Sequence, residues 1–167
     1  MSKTRSFRSD SIKFERDVVS VVETNVDDVT GEILGRTIER LMAEGALDAT
    51  VTSFLGKKGR MGQTVRVVCQ RGSAERFGQI LVEETGTMGV KTTEWTRLIV
   101  PRKVVSIPVE ISGFKGEVEV KVSRTRSGWR IKPELEQAKN ISNLEGIPLR
   151  RVLEIISRKA AEKIGDH

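Results

Sequence analysis

Across residues 18–100 the apolar period changes in a fixed order, and that order leaves few folds open. Val18, Val19, Val21 and Val22 form a valine run that reads as a buried strand over residues 18–23. Ile33, Leu34, Thr37, Ile38, Leu41 and Met42 then recur at helical spacing, with Glu39 and Arg40 on the other side. Gly45 stops that helix, and residues 46–55 return as a strand with Leu47, Ala49, Val51 and Ser53 on one face. A glycine-rich turn over residues 56–62 leads into a strand at 64–70, marked by Val65, Val67 and Val68. Gly72 and Ser73 break that strand. Phe77, Ile80, Leu81 and Glu84 lie on successive turns of a second helix, Gly86 and Gly89 end it, and residues 90–100 form a long strand. Strand, helix, strand, strand, helix, strand is the split βαβ order. It predicts an α+β chain with a ferredoxin-like unit over residues 17–100: an antiparallel sheet with both helices on one face.

The pattern then changes. Val105, Ile107, Val109 and Ile111 alternate with Val104, Ser106, Pro108 and Glu110, and Val118, Val120 and Val122 alternate with Glu117, Glu119, Lys121 and Ser123. Residues 113–116 read as the turn between them. A second turn at Arg126, Ser127 and Gly128 leads to a short strand at 129–131. Pro133 suits the first turn of a helix with Leu135, Ala138 and Ile141 inward, and Pro148 opens a last helix with Leu149, Val152, Leu153, Ile156 and Ala160 inward. Residues 101–165 are therefore expected to form a β-rich unit with two closing helices, packed with the first unit. Residues 1–16 hold five cations against two acids and no apolar period, and read as a flexible basic tail.

Composition narrows the chemistry. The single histidine is His167 and the single cysteine is Cys69, so a Ser-His-Asp site, a Cys-His site and a Cys/His zinc site are all excluded within these 167 residues. No apolar run approaches the ~18 residues a membrane span needs. The opening Met1-Ser2-Lys3-Thr4-Arg5 is not a secretory signal, and one cysteine allows no internal disulfide, which points to the cytoplasm. A net charge of +6 invites an anionic partner. With no tyrosine and only Trp95 and Trp129, a stacking platform for nucleic acid is not expected, and a nucleotide-like small molecule accounts for the charge equally well.

Four clusters could carry that interaction. Asp27 and Asp28 follow the first strand closely, with Glu23 and Asn25 before them; carboxylates at a strand end can hold Mg²⁺ or Mn²⁺, although Asp28 or Thr30 can equally cap the helix and Asn25 can make an Asx turn. Lys57, Lys58 and Arg60 lie between glycines that let backbone N–H groups approach an anion; the alternative is a solvated hairpin tip. Lys132 precedes a helix start at which Glu134 complicates phosphate binding unless it takes a metal. Arg97 lies between Trp95 and Ile99 on one strand face, and either pairs with an acid such as Glu94 or Glu84 or binds an anion. Cys69, in an apolar strand, reads as a small buried residue, with a thiolate for a soft metal as the other possibility.

Five motifs occur in order: Glu23-Thr-Asn-Val-Asp-Asp28, Leu41-Met-Ala-Glu-Gly-Ala-Leu-Asp48, Lys57-Lys-Gly-Arg60, Glu84-Thr-Gly-Thr-Met-Gly-Val90 and Lys132-Pro-Glu134. Together they resemble the C-terminal domain of the LarC family of nickel insertion proteins, from about residue 18 to about 164. The resemblance implies a CTP-dependent cyclometallase that inserts nickel into pyridinium-3,5-bisthiocarboxylic acid mononucleotide, with this domain binding CTP and Mg²⁺ or Mn²⁺ and assembling into a homo-oligomer. It implies that Lys57, Lys58, Arg60, Arg97 and Lys132 bind the nucleotide and that Asp27, Asp28 and Glu134 hold the metal. Family members usually carry a preceding domain with a histidine-rich motif that these residues do not include, so the chain is expected to be a fragment, a separately encoded subunit with an N-terminal LarC-like chain as its partner, or a solitary domain with another job. Where the family has Met after the paired acids this chain has Val29, and its threonine run is interrupted by Gly86.

The alternative is a non-catalytic oligomeric module that recognises a phosphorylated ligand or RNA. One geometric expectation bears on both. A simple βαββ path is read as placing the end of the first strand and the 56–62 turn at opposite ends of the sheet, which would separate Asp27 from Lys57 within one chain.

Overall fold

The computed structural model describes residues 12–125 and 128–165. Most of the expected basic tail lies outside the described residues, and the first strand already begins at Glu15. The chain divides into two compact units, one of them Arg16–Leu98 and the other built on residues from Ile99 onward.

The first unit runs β1 (Glu15–Val26), α1 (Gly31–Ala43), β2 (Asp48–Leu55), β3 (Met61–Gln70), α2 (Ala74–Thr85) and β4 (Lys91–Ile99). The strands are ordered β2-β3-β1-β4, with β3 antiparallel to both β1 and β2. This is the expected ferredoxin-like arrangement. Alternate residues of the central strands, Val22 and Val26 on β1 and Val65, Val67 and Cys69 on β3, share one buried cluster with Leu34 and Leu41 of α1 and Phe77, Ile80 and Leu81 of α2. Each large side chain buried there contributes roughly 1.5–3 kcal/mol. The apolar face of α1 is narrower than its spacing implied. Leu34, Thr37 and Leu41 are buried, whereas Ile33 and Met42 are exposed. Thr37 is accommodated because its hydroxyl donates to the Ile33 carbonyl at 2.7 Å. Gly45 adopts φ +88 just after α1 and ends it. Arg40 ties α1 to α2 by donating to Glu84 and Glu83, each at 2.7 Å.

The second unit holds β5 (Lys103–Ile111), β6 (Phe114–Thr125) and β7 (Gly128–Pro133), an antiparallel sheet in that order, followed by α3 (Leu135–Glu145) and α4 (Leu149–Gly165). Ile107, Val109, Ile111, Val118, Val120 and Val122 pack with Ala138, Ile141, Val152, Ile156 and Ala160, as their alternation predicts. Two boundaries differ. Ile111 pairs with Phe114, so the turn is Ser112-Gly113, with Ser112 at φ 55, and Phe114 already belongs to a strand. Pro133 ends β7 rather than opening α3; it sits opposite Val120 on the sheet edge, where its missing N–H costs nothing. Arg126 and Ser127 of the expected second turn lie outside the described residues.

The expectation about the ends of the first sheet is wrong. The α1 crossover returns the chain to the end where β1 began, so β2 runs in the direction of β1. The β2–β3 turn therefore forms beside the end of β1: Val26 pairs with Gln63 and Leu55 with Met61.

Candidate functional site

The β2–β3 hairpin closes in a tight turn. The Arg60 amide donates to the Lys57 carbonyl at 3.4 Å, and the Gly56 amide to the Arg60 carbonyl at 2.7 Å. Between them Lys58 lies at φ 60, ψ 23 and Gly59 at φ 69, so both central residues are left-handed, as a type I′ hairpin turn requires. Glycine fits at 59. A lysine at 58 has its side chain crowded against its own backbone, at a cost of about 1–2 kcal/mol. The turn projects Lys57, Lys58 and Arg60 into solvent beside the end of β1.

The glycines flanking the turn serve a packing purpose that the sequence did not reveal. Phe54 and Gly62 are cross-strand partners. A Cβ on Gly62 would come within 2.5 Å of the Phe54 ring, and one on Gly56 within 2.9 Å. The ring therefore lies across both glycines. With Val26 it lines an open cavity of about 500 Å³ whose other walls are Asn25, Asp27, Gly56, Lys57, Lys58 and Arg60. Three cations, one carboxylate, one amide and one aromatic ring thus surround a single volume within the range of small-molecule sites.

The acidic knot at the end of β1 separates into distinct roles. Glu23 accepts two bonds from Arg66, at 3.0 and 3.1 Å, and the Arg66 guanidinium lies 5.2 Å from the Trp95 ring centre. Asn25 makes no Asx turn; its Oδ1 accepts from the Thr64 hydroxyl at 3.1 Å and the Lys91 ammonium at 3.4 Å. Asp27 faces the cavity, and its Oδ2 lies 3.5 Å from Arg60 Nη1. Asp28 is exposed outside the cavity lining, and Thr30, not Asp28, caps α1 by accepting from the Ile33 amide. Among the described residues no three His, Cys, Asp or Glu side chains are grouped to hold a metal alone. Asp27 is thus the one carboxylate among the described residues that line the cavity, an oxygen donor of the kind that Mg²⁺ and Mn²⁺ accept.

The remaining sequence candidates stand elsewhere. Arg97 donates to both oxygens of Asp17, at 2.9 and 2.5 Å. Its partner is thus neither Glu94, which holds Arg71, nor Glu84, which holds Arg40. Asp17 lies near the start of β1, about 30 Å along the strand from Asp27. The Arg97 guanidinium holds the Asp17 carboxyl below its ordinary range. Lys132 and Glu134 belong to the second unit. There Lys132 pairs with Lys121 across the sheet, and Glu134 accepts from Lys121 Nζ at 2.6 Å, which lowers its carboxyl as well. Cys69 is buried, its thiol donating to the Ser20 carbonyl at 3.6 Å; burial pushes its pKa up and favours the thiol over the thiolate. No helix among the described residues is long and apolar enough to cross a membrane.

Residues 3–153 match the model of the nickel insertion protein family. A putative nickel insertion protein of Methanococcoides burtonii is 40% identical over 151 residues, covering 89% of this chain and 37% of that protein. Another, from Methanothermobacter thermautotrophicus, is 39% identical over 147 residues, covering 86% and 35%. The chain thus spans little more than a third of the length of these relatives. Among solved structures, LarC2, described as the C-terminal domain of a cyclometallase involved in the synthesis of the NPN cofactor of lactate racemase, superposes with a TM-score of 0.78 at 27% identity, covering 87% of this chain and 99% of that one. A protein of Methanopyrus kandleri superposes with a TM-score of 0.64 at 25% identity over 93% of each chain.

Proposed function

The chain belongs to the nickel insertion protein family, and from that membership we propose that it is the part of such a protein that binds CTP together with Mg²⁺ or Mn²⁺. The observation that carries this reading is the convergence of Lys57, Lys58 and Arg60 with Asp27 around one cavity. A triphosphate needs several positive charges and an open approach, and the hairpin turn offers three cations on a short, exposed loop. Asp27 would otherwise repel that ligand, so its position among the cations makes sense when a divalent ion stands between carboxylate and phosphate. Asp27, with Asp28 next to it in sequence, would hold such an ion, which would supply neutralisation of the phosphate charge. Lys57, Lys58 and Arg60 then orient the chain of phosphates against it.

In this reading the nucleotide serves nickel insertion into pyridinium-3,5-bisthiocarboxylic acid mononucleotide, nickel being the metal delivered rather than a resident ion. Arg97 and Lys132 are proposed as further anion-binding residues acting outside the hairpin cavity, with Glu134 a metal ligand there. The chain is further proposed to act as a homo-oligomer in the cytoplasm, together with the remainder of a LarC-like nickel insertion protein.

Calorimetric titration with CTP and ATP, each with and without Mn²⁺, tests the reading. Saturable binding of CTP that needs Mn²⁺ and exceeds that of ATP is expected. Equal binding of both nucleotides, or none, contradicts it.

A further inference from the structure

The second sheet carries a group of cations that the hairpin cavity does not use. Val118, Val120 and Val122 pack with residues of α3 and α4, and Ile131 packs against the same cluster. Their neighbours along the strands, Lys121 and Ser123 on β6 and Arg130 and Lys132 on β7, therefore point from the opposite face. The register sets Lys121 against Lys132 and Ser123 against Arg130. Three cations and a hydroxyl thus stand at the corners of one cross-strand square, about 5 Å across the strands and about 7 Å along them.

Other charges on this face are answered within the unit. Lys115 pairs with Glu110 at 2.8 Å, Glu117 accepts from the Ser106 hydroxyl at 2.6 Å, and Lys121 donates to Glu134 at 2.6 Å. Arg130 and Lys132 are exposed, and among the described residues neither side chain has a hydrogen bond or ion pair. Like charges directly opposite in an antiparallel pair are destabilising, and Glu134 answers only one of the two lysines. Glu119 shares the face, two residues before Lys121, and stands on the other side of the Lys121–Lys132 row from Ser123 and Arg130. The positive end of the face is therefore the corner of Ser123, Arg130 and Lys132. Val104, opposite Lys121 and 56% exposed, gives it an apolar flank.

We propose that this corner holds the phosphate monoester of a mononucleotide. An arginine fork, a lysine ammonium and a serine hydroxyl on neighbouring strands can each reach a different oxygen of one phosphate, with Lys121 adding charge beside them. In the reading of Lys132 as an anion-binding residue, on which this assignment rests, the phosphate of the pyridinium mononucleotide that receives nickel is held on the second unit and the triphosphate on the first.

Nicotinic acid mononucleotide and nicotinic acid riboside differ only in the phosphate, and calorimetric titration of each into the full chain tests the assignment. The unsubstituted chain is expected to bind the mononucleotide about ten-fold or more tighter than the riboside. Arg130→Gln and Lys132→Gln are each expected to lose about ten-fold in mononucleotide affinity. Without ligand, Lys132→Gln is expected to melt no lower than the parent, because it removes a like-charge pair. Arg130→Gln is expected to bind CTP with Mn²⁺ as the parent does, which shows that the fold is intact. Equal affinity for mononucleotide and riboside, or variants that hold the mononucleotide as tightly as the parent, overturns the assignment. A chain that binds CTP with Mn²⁺ but not the mononucleotide also overturns it and leaves the hairpin reading standing. A chain that binds the mononucleotide through Arg130 and Lys132 but not CTP supports the assignment and overturns the hairpin reading.

Discussion

Asp27 Oδ2 and Arg60 Nη1 lie 3.5 Å apart at the mouth of the hairpin cavity, joining the end of β1 to the β2–β3 turn. Both side chains are well exposed, at 45% and 69%, so the pair adds little to stability and both partners can turn toward a ligand. Asp27→Asn is therefore expected to leave the melting temperature within about 2 °C of the parent. The same variant should abolish the enhancement of CTP binding by Mn²⁺. Arg60→Ala should weaken tripolyphosphate and CTP together by about ten-fold, in line with the loss of one charge-assisted hydrogen bond. Thermal unfolding and calorimetry on the two variants check this split.

Lys58 sets stability against binding. Its left-handed backbone at φ 60 favours glycine, and a lysine there is strained. Lys58→Gly is expected to raise stability by about 1 kcal/mol and to lower triphosphate affinity by about ten-fold. Denaturant unfolding gives the first quantity and calorimetry the second. A variant that gains stability and keeps full affinity removes Lys58 from the site.

Gly62 supports the cavity from beneath. A Cβ there would stand 2.5 Å from the Phe54 ring and 2.8 Å from the Val26 carbonyl oxygen, and the second contact is with backbone that cannot rotate away. Gly62→Ala should cost about 1–3 kcal/mol. In a double-mutant cycle, Phe54→Ala should recover part of that cost by removing the ring, but not all of it, because the carbonyl remains.

These relationships show where reading the residues stops. The alternation in β5 and β6 names every core residue of that sheet, because a period of two states which face a side chain occupies. The cations of the hairpin were legible for a similar reason: they lie within four positions of one another. Phe54 was missed although Gly56 and Gly62 flank its turn, because the glycines were read as serving an anion and the strand register that sets Gly62 opposite Phe54 is not written locally. Arg97 was recognised as needing a partner, yet Asp17 is eighty residues away, and only the pairing of the sheet brings it near. Asp27 and Lys57 meet at one end because β3 is antiparallel to both β1 and β2, a pairing that sets the β2–β3 turn beside the end of β1 and that local spacing does not state.

The Asp17–Arg97 pair carries a pH signature. The carboxyl of Asp17 is lowered by hydrogen bonds from Arg97. A carboxyl held below its unfolded value stabilises the fold above that value, near 3.9, and the contribution disappears as pH falls through the folded one. Asp17→Asn should therefore melt below the parent at pH 7, and the difference should close as pH is lowered below about 4. Melting temperatures of both chains between pH 2 and pH 7 check this. A gap that persists at the acid end assigns the effect to packing instead.

The central claim concerns a place, and the position of the metal tests it most directly. Crystals of the chain grown with CTP and Mn²⁺ should show an anomalous manganese peak against Asp27, with the phosphates bracketed by Lys57, Lys58 and Arg60. Manganese and nucleotide bound instead beside Arg97, or at Lys132 and Glu134 with the hairpin cavity empty, would contradict the account.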